Sequence, residues 1–327
     1  MREERLERMP ARRYKGAMVT AQSAAVPPPL SAAAQLRASR LALAALFLGG
    51  VAVAFSGIFI KLSELQPTAT VFHRLFLSAP FLWLWLRWER QKGTTLRAPA
   101  GLRDHAELAI AGALFGINTA AWAWCMHFTS VANGSLIANT SPIFVALGAY
   151  LFLGERFTRV FLLGLGLSML GVAALMGRSA SLGGEHFLGD SLAIVAALFW
   201  SAYLLMVQRL RARFSTATVM LWTSIGAGAV LLLGALANGE ALLPQTLFGL
   251  AILLALALFS HVAGQGLFTF ALAHLPASFS AVGMLVQPVY AALAAWVVLG
   301  EALQPLQAIG GAVVLGGIVV ARRGTRR

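Results

Sequence analysis

The sequence predicts an all-α integral membrane protein: ten transmembrane helices arranged as two inverted five-helix repeats. Three observations carry this expectation. Hydrophobic residues make up 59% of the 327-residue chain and charged residues 11%, far from the roughly 45–50% apolar and 25% charged of a soluble domain. Ten apolar stretches approach the ~20 residues that a helix needs to cross a hydrocarbon core of about 30 Å. Finally, the segment Thr140-Ser-Pro-Ile-Phe-Val-Ala-Leu-Gly-Ala-Tyr-Leu-Phe-Leu-Gly-Glu155 returns 146 positions later as Val286-Gln-Pro-Val-Tyr-Ala-Ala-Leu-Ala-Ala-Trp-Val-Val-Leu-Gly-Glu301. Internal duplication in a membrane chain marks a transporter scaffold whose halves meet around a central site.

Residues 1–40 mix charge and alanine with Pro27-Pro28-Pro29-Leu30. Such a composition cannot bury a core and reads as a disordered basic cytoplasmic tail. The apolar run from Leu41 is longer than a signal-peptide h-region of about 7–15 residues and lies far from the start, so it reads as the first span. The spans fall near 41–62, 67–88, 106–127, 131–153, 157–177, 190–209, 216–237, 246–272, 277–299 and 303–321. Their connections are mostly short, which makes neighbours antiparallel and leaves no inserted soluble domain. The first repeat then occupies 41–178 and the second 189–323, together one transport domain.

Each span of the first half finds a counterpart. Thr68-Ala69-Thr70-Val71 matches Thr216-Ala217-Thr218-Val219, Phe55-Ser56-Gly57 matches Trp200-Ser201-Ala202, Gly164 and Gly171 match Gly310 and Gly317, and Trp122 and Trp124 match Phe268 and Phe270. Five spans is an odd number, so the second copy enters the membrane from the opposite side. Two copies related in this way can exchange slightly different shapes, which is alternating access.

The net charge of +13 belongs to topology and not to nucleic acid. With a cytoplasmic N-terminus, 22 of the 25 Lys and Arg residues fall on the inner side, Lys61 and Arg178 on the outer, and Arg74 within a span. This is the positive-inside pattern, with both termini cytoplasmic. Cys125 is the lone cysteine, so no disulfide forms within the chain.

Ten helices in two inverted fives, with Pro142 and Pro288 mid-helix and Gly-Glu closing spans four and nine, resemble the drug/metabolite transporter superfamily and its ten-helix EamA-type exporters. Arg74 early in span two, and the strings 123–132 and 270–277 leading into spans four and nine, are similar to the family too. The resemblance covers about residues 41–322 and implies an inner-membrane carrier, monomeric or weakly dimeric, in bacteria. Its cavity would be lined by spans one to four and six to nine, with spans five and ten outside. Exporters of neutral and aromatic amino acids look like the nearest kind.

All twelve acidic residues fall in loops, in the tail or at helix ends. A proton-coupled cation antiporter typically needs a mid-span carboxylate, so uniport or histidine-linked coupling is expected. The ionisable groups within spans are His73, Arg74 and His261. Arg74 either snorkels to the outer interface or holds a neighbour's carbonyls, or else it serves as a gate or carboxylate contact. His261 either lines a cavity or packs.

Uncharged polar residues gather at related depths: Asn118 and Thr119 align with Gly264 and Gln265, and Gln287 precedes Pro288 as Ser141 precedes Pro142. A mid-helix proline frees a carbonyl and makes a hinge, with helix-bridging by the amides as the alternative. Trp122, Trp200 and Tyr203 sit mid-span, where they line a cavity or pack. Trp83, Trp85 and Trp88 form an interfacial belt. Glu155 and Glu301 are expected at the start of the helix that follows each.

The expected substrate site is therefore His73, Asn118, Trp122, Trp200, Tyr203, His261, Gln265 and Gln287, with Arg74, Pro142 and Pro288 as gate or hinge. No metal or cofactor is expected, and the partners are a small-molecule substrate and the lipid bilayer. The function read from these residues is export of small amphipathic metabolites, foremost neutral or aromatic amino acids. A carrier of anionic or nucleotide-linked solutes is the alternative. A membrane-embedded enzyme would need nucleophile, base or metal ligands at one depth, and the spans carry no such set.

Overall fold

The computed structural model describes residues 32–93, 97–129, 131–176, 187–290, 292–293 and 305–325. Among these every regular element is helical: α1 (Ala32–Ala54), α2 (Ser56–Leu62), α3 (Pro67–Phe76), α4 (Ala79–Gln91), α5 (Gly101–Phe128), α6 (Val131–Ala138), α7 (Ser141–Leu153), α8 (Arg159–Met176), α9 (Phe187–Arg211), α10 (Thr216–Ala237), α11 (Leu247–Ala255), a π-helical segment (Leu256–Gln265), α12 (Gly266–Ala271), α13 (Ala277–Met284) and α14 (Pro305–Gly324). The first helix starts at Ala32, inside the expected tail. Residues 1–31 of that tail lie outside the described residues.

Among the described residues, eight stretches are long and apolar enough to cross a membrane: Arg37–Ile60, Pro67–Gln91, Gly101–Cys125, Gly134–Leu153, Phe187–Arg211, Thr216–Ala237, Leu247–Ala271 and Pro305–Gly324. Two of the ten expected spans are not among these eight. The apolar part of α8 is shorter, Arg159–Leu175, and most of 291–304, with Leu299-Gly300-Glu301, lies outside the described residues.

Several spans are interrupted near their middles, and local chemistry explains where. Pro142 does not kink a continuous helix; it stands in the first turn of α7, where a missing N–H costs nothing. The Thr140 hydroxyl donates to the Ile137 carbonyl at 2.6 Å across the break. Span two breaks by the same device: Pro80 stands in the first turn of α4, and the Ser78 hydroxyl donates to the Leu75 carbonyl at 2.7 Å. In each case a side-chain hydroxyl bonds a carbonyl of the last turn before the break. Before Pro288, residues 285–286 likewise form a turn between helical residues. Span one breaks at Phe55, and the π segment widens span eight.

Close packing comes from glycine. A Cβ on Gly164 would fall 2.2 Å from the Ala321 nitrogen, on Gly171 2.6 Å from the Val314 nitrogen, on Gly310 2.7 Å from the Leu175 nitrogen, and on Gly324 2.3 Å from the Phe161 nitrogen. As α8 advances, its partner on α14 recedes, so the two helices cross antiparallel with backbones in contact. Moving the contact of Gly164 with Ala321 by the 146-residue offset of the repeat exchanges it for that of Gly310 with Leu175.

Away from this pair, α5 packs along α9 and α10, and α10 packs along α3. The aromatic ring of Trp85, expected in an interfacial belt, packs against Gly266 at 3.0 Å from where a Cβ would stand. Trp83 and Trp88 are exposed, with Arg87 and Lys92 over their rings.

Candidate substrate site

Where helices break or widen, polar side chains converge. Arg74 lies in the last turn of α3, just before the Pro80 break. It does not snorkel: it is 8% exposed, and its Nη1 donates to Ser56 Oγ at 3.4 Å, beside the Phe55 break. Opposite stands the π segment, whose wide turns, bonded i to i+5, stack residues four to five apart on one face. His261 and Gln265, four residues apart, fall on one face as they would in an α-helix too, and both are 1% exposed. Ser260 points away and donates to the Ala52 carbonyl of α1 at 2.9 Å.

From α9 comes Tyr203, also 1% exposed, with its hydroxyl toward the Gln265 amide and the Thr223 hydroxyl. The Arg74 guanidinium is close enough to act electrostatically on Tyr203 and His261. Aromatic rings wall the group. Phe115 of α5 stacks on Tyr203 at 4.8 Å and on His261 at 6.1 Å, while Trp200 lies 5.5 Å from Tyr203 and 6.0 Å from Phe268.

The hydrogen bonding of this group is incomplete. His261 Nε2 pairs with the Ser224 hydroxyl at 2.8 Å, but its Nδ1 has no partner, nor do Arg74 Nε and Gln265 Nε2. The ion pairs among the described residues join Arg97, Arg103 and Arg213 to Asp104 and Glu107, and none reaches Arg74.

Five of the sequence-derived candidates thus come together: Arg74, Trp200, Tyr203, His261 and Gln265. The others stand apart from them. His73 Nδ1 bonds the Ala69 carbonyl of its own helix at 2.9 Å. Asn118 donates to the Ala196 carbonyl of α9 at 2.8 Å, a bridge between helices. Gln287 reaches Met284 Sδ, and Trp122 is half-buried. Sequence reasoning passed over Phe115, Ser224 and the acceptor role of Ser56. The adjacent Thr223 and Ser224 in an otherwise apolar span were a readable signal for the second of these.

Carboxylates work at the ends of the helices. Glu155 does not serve the helix that follows it; it accepts from the Ser278 hydroxyl at the start of α13. Gly154, at φ +69°, makes that turn. At the end remote from the basic loops, Glu240 accepts from the Ala69 amide, and Glu64 accepts from the Gln245 and Thr246 amides at 3.1 and 3.2 Å and from the Thr246 hydroxyl. A hollow of about 500 Å³ opens at the basic end, lined among others by Glu155, Gln208, His274 and Thr325.

An all-helical membrane protein with interrupted spans and one buried, aromatic-walled polar group at their breaks has the build of a membrane carrier. The sequence profile of the EamA-like transporter family matches the chain twice, over residues 40–177 and 187–323. The chain belongs to the EamA-like transporter family, within the drug/metabolite transporter superfamily, and is a transporter and not an enzyme.

Its relatives include an uncharacterized transporter of Archaeoglobus fulgidus, 29% identical over 80% of this chain and 91% of that protein. The threonine/homoserine exporter RhtA of Escherichia coli is 32% identical over 49% of this chain and 52% of its own length, so that match spans about half of each. A probable terminal-alkyne amino-acid exporter of Streptantibioticus cattleyicolor is 29% identical over 62% of this chain and 67% of that protein. A solved crystal structure aligns at a TM-score of 0.72 over 89% of this chain and 98% of the other, with 19% identity, a likeness of fold alone.

Proposed function

We propose that the protein exports small neutral or aromatic amino acids across a bacterial inner membrane, both termini being cytoplasmic. The observation that carries this reading is the buried group of Arg74, Tyr203, His261 and Gln265 against Trp200, Phe115 and Phe268. A zwitterion with an apolar side chain needs such a mixture of fixed polar groups and aromatic wall. Two relatives named as amino-acid exporters support the substrate class. The 22 basic residues on one side support the orientation.

The proposed mechanism is alternating access by two inverted repeats that together make ten spans. Support comes from the antiparallel crossing of α8 and α14, whose contacts map onto themselves when the repeats are exchanged. Reversal of helix direction by a twofold axis needs that axis in the membrane plane. The breaks at Pro142 and Pro288 are the proposed hinges. Coupling is by uniport or through histidine, since the polar group among the described residues holds no carboxylate.

Counterflow in proteoliposomes tests the function. Vesicles preloaded with unlabelled threonine, phenylalanine or other neutral amino acids should accumulate the labelled compound above empty vesicles. If no amino acid exchanges while other solutes do, the assignment is wrong.

A further inference from the structure

We propose that Arg74, His261 Nδ1 and Gln265 Nε2 form a receptor for the carboxylate of the transported solute, so that the substrate itself supplies the counter-ion of Arg74. The inference rests on the amino-acid reading for its substrate and goes beyond it by naming the group recognised and the atoms that recognise it.

The argument is one of unmatched donors. Arg74 is 92% removed from solvent contact by the protein, being 8% exposed. A guanidinium in such a place is strongly unfavourable unless paired and hydrogen-bonded. Its Nη1 donates to the neutral Ser56 hydroxyl at a long 3.4 Å, and its Nε–H has no partner. The neighbouring polar atoms add donors and no negative charge. The Gln265 amide nitrogen is buried and, beyond the nearby Tyr203 hydroxyl, has no hydrogen-bond partner. When the Ser224 hydroxyl donates to His261 Nε2, the ring proton sits on Nδ1, which is also buried and unpartnered. A cationic donor and two neutral donors, short of one anionic acceptor, match a carboxylate, which offers two oxygens and about four lone pairs.

The positions make the arrangement mechanical as well as chemical. Arg74 lies in the last turn of α3, before the break that precedes α4, Ser56 begins α2 immediately after the break at Phe55, and His261 and Gln265 lie on the widened turns of span eight. A carboxylate held among them touches three interrupted spans at once. Trp200, 5.5 Å from Tyr203 and stacked on Phe268 at 6.0 Å, offers the wall against which the apolar remainder of the solute lies.

Two measurements test the receptor. In counterflow, threonine should compete for transport at least 30-fold better than threoninol, which replaces the carboxylate with an alcohol. Arg74→Gln should erase most of that difference, and Arg74→Lys should restore part of it. Independently of transport, the melting temperature of the detergent-solubilised protein should rise with sodium propionate and not with propanol, and Arg74→Gln should remove the rise. Equal competition by threonine and threoninol overturns the receptor while leaving amino-acid export standing. Failure of every amino acid to exchange, with the propionate effect retained, removes the export reading and keeps the receptor. Identical melting of wild type and Arg74→Gln in propionate overturns the receptor whatever is transported.

Discussion

Glu240 closes the first turn of α3 from across the molecule, its Oε2 2.7 Å from the amide nitrogen of Ala69. The residue before α3, Gln66, makes no side-chain cap of its own, so the exposed amides of that turn are served by the other half of the chain. Gly239, at φ +65°, lets the chain reverse at the end of α10 and deliver the carboxylate. Loss of a capping oxygen costs about 0.5–2 kcal/mol, and a carboxylate at a helix N-terminus adds to that. Glu240→Ala should therefore lower stability by about 1–2 kcal/mol, read as a lower melting temperature in detergent. Unchanged melting would mean that the contact contributes nothing.

Acid should loosen the same end through Glu64. Hydrogen bonds from the Thr246 side chain, and then from the Thr246 and Gln245 amides, hold its carboxyl below the usual carboxylate range, against a smaller opposing effect of desolvation. A depressed folded value means that the stabilisation is complete above the ordinary carboxylate pKa and is lost as pH falls through the folded one. The difference in melting temperature between wild type and Glu64→Gln should be full at neutral pH and shrink on acidification. A gap that is constant with pH contradicts this.

Gly317 faces Ser168, with a Cβ placed 2.4 Å from its Oγ. Gly317→Leu forces α8 and α14 apart, and overpacking of this kind costs about 1–3 kcal/mol. Reduced thermal stability is expected, with substrate preference retained in whatever protein survives purification. Normal stability would show that the two helices separate freely.

Pro142→Ala should mend span four, since alanine restores the N–H and the helix propensity. Stability should hold or rise, while turnover falls about tenfold, equivalent to about 1.4 kcal/mol on the barrier. Initial rates of counterflow against concentration separate turnover from affinity. A fast Pro142→Ala carrier would remove the hinge.

Asn118 donates to a backbone carbonyl on α9, and interhelical bonds of this kind are worth about 0.6–2 kcal/mol in membranes. Asn118→Ala should cost stability of that order and leave the concentration for half-maximal transport unchanged. A large shift in that concentration would return Asn118 to the substrate site.

The spans were legible because a hydrocarbon core imposes a length and a composition, and both are written one residue at a time. The glycine contacts of α8 and α14 were legible as a repeat at helical spacing. Three features of the site were not. The inward turn of Arg74 depends on the rotation of α3 against α2, which no local pattern records. The widening of span eight at His261 and Gln265 is not written in the periodicity, although their spacing of four already set them on one face. Glu155, Glu240 and Glu64 bond groups at helix starts distant in the chain, where sequence distance hides the pairing. Pro80 was in plain view, yet it has no partner in the second copy, and attention to the duplication passed over it.

The π-helical segment has one more consequence. Its counterpart in the other half, α5, runs as an uninterrupted α-helix from Gly101 to Phe128. The two copies are thus unequal, and under the proposed alternating access the two states that perfect copies would hold at equal energy would be split. A carrier working in that way would rest on one preferred side with no ligand bound, a preference written in the pitch of one helix.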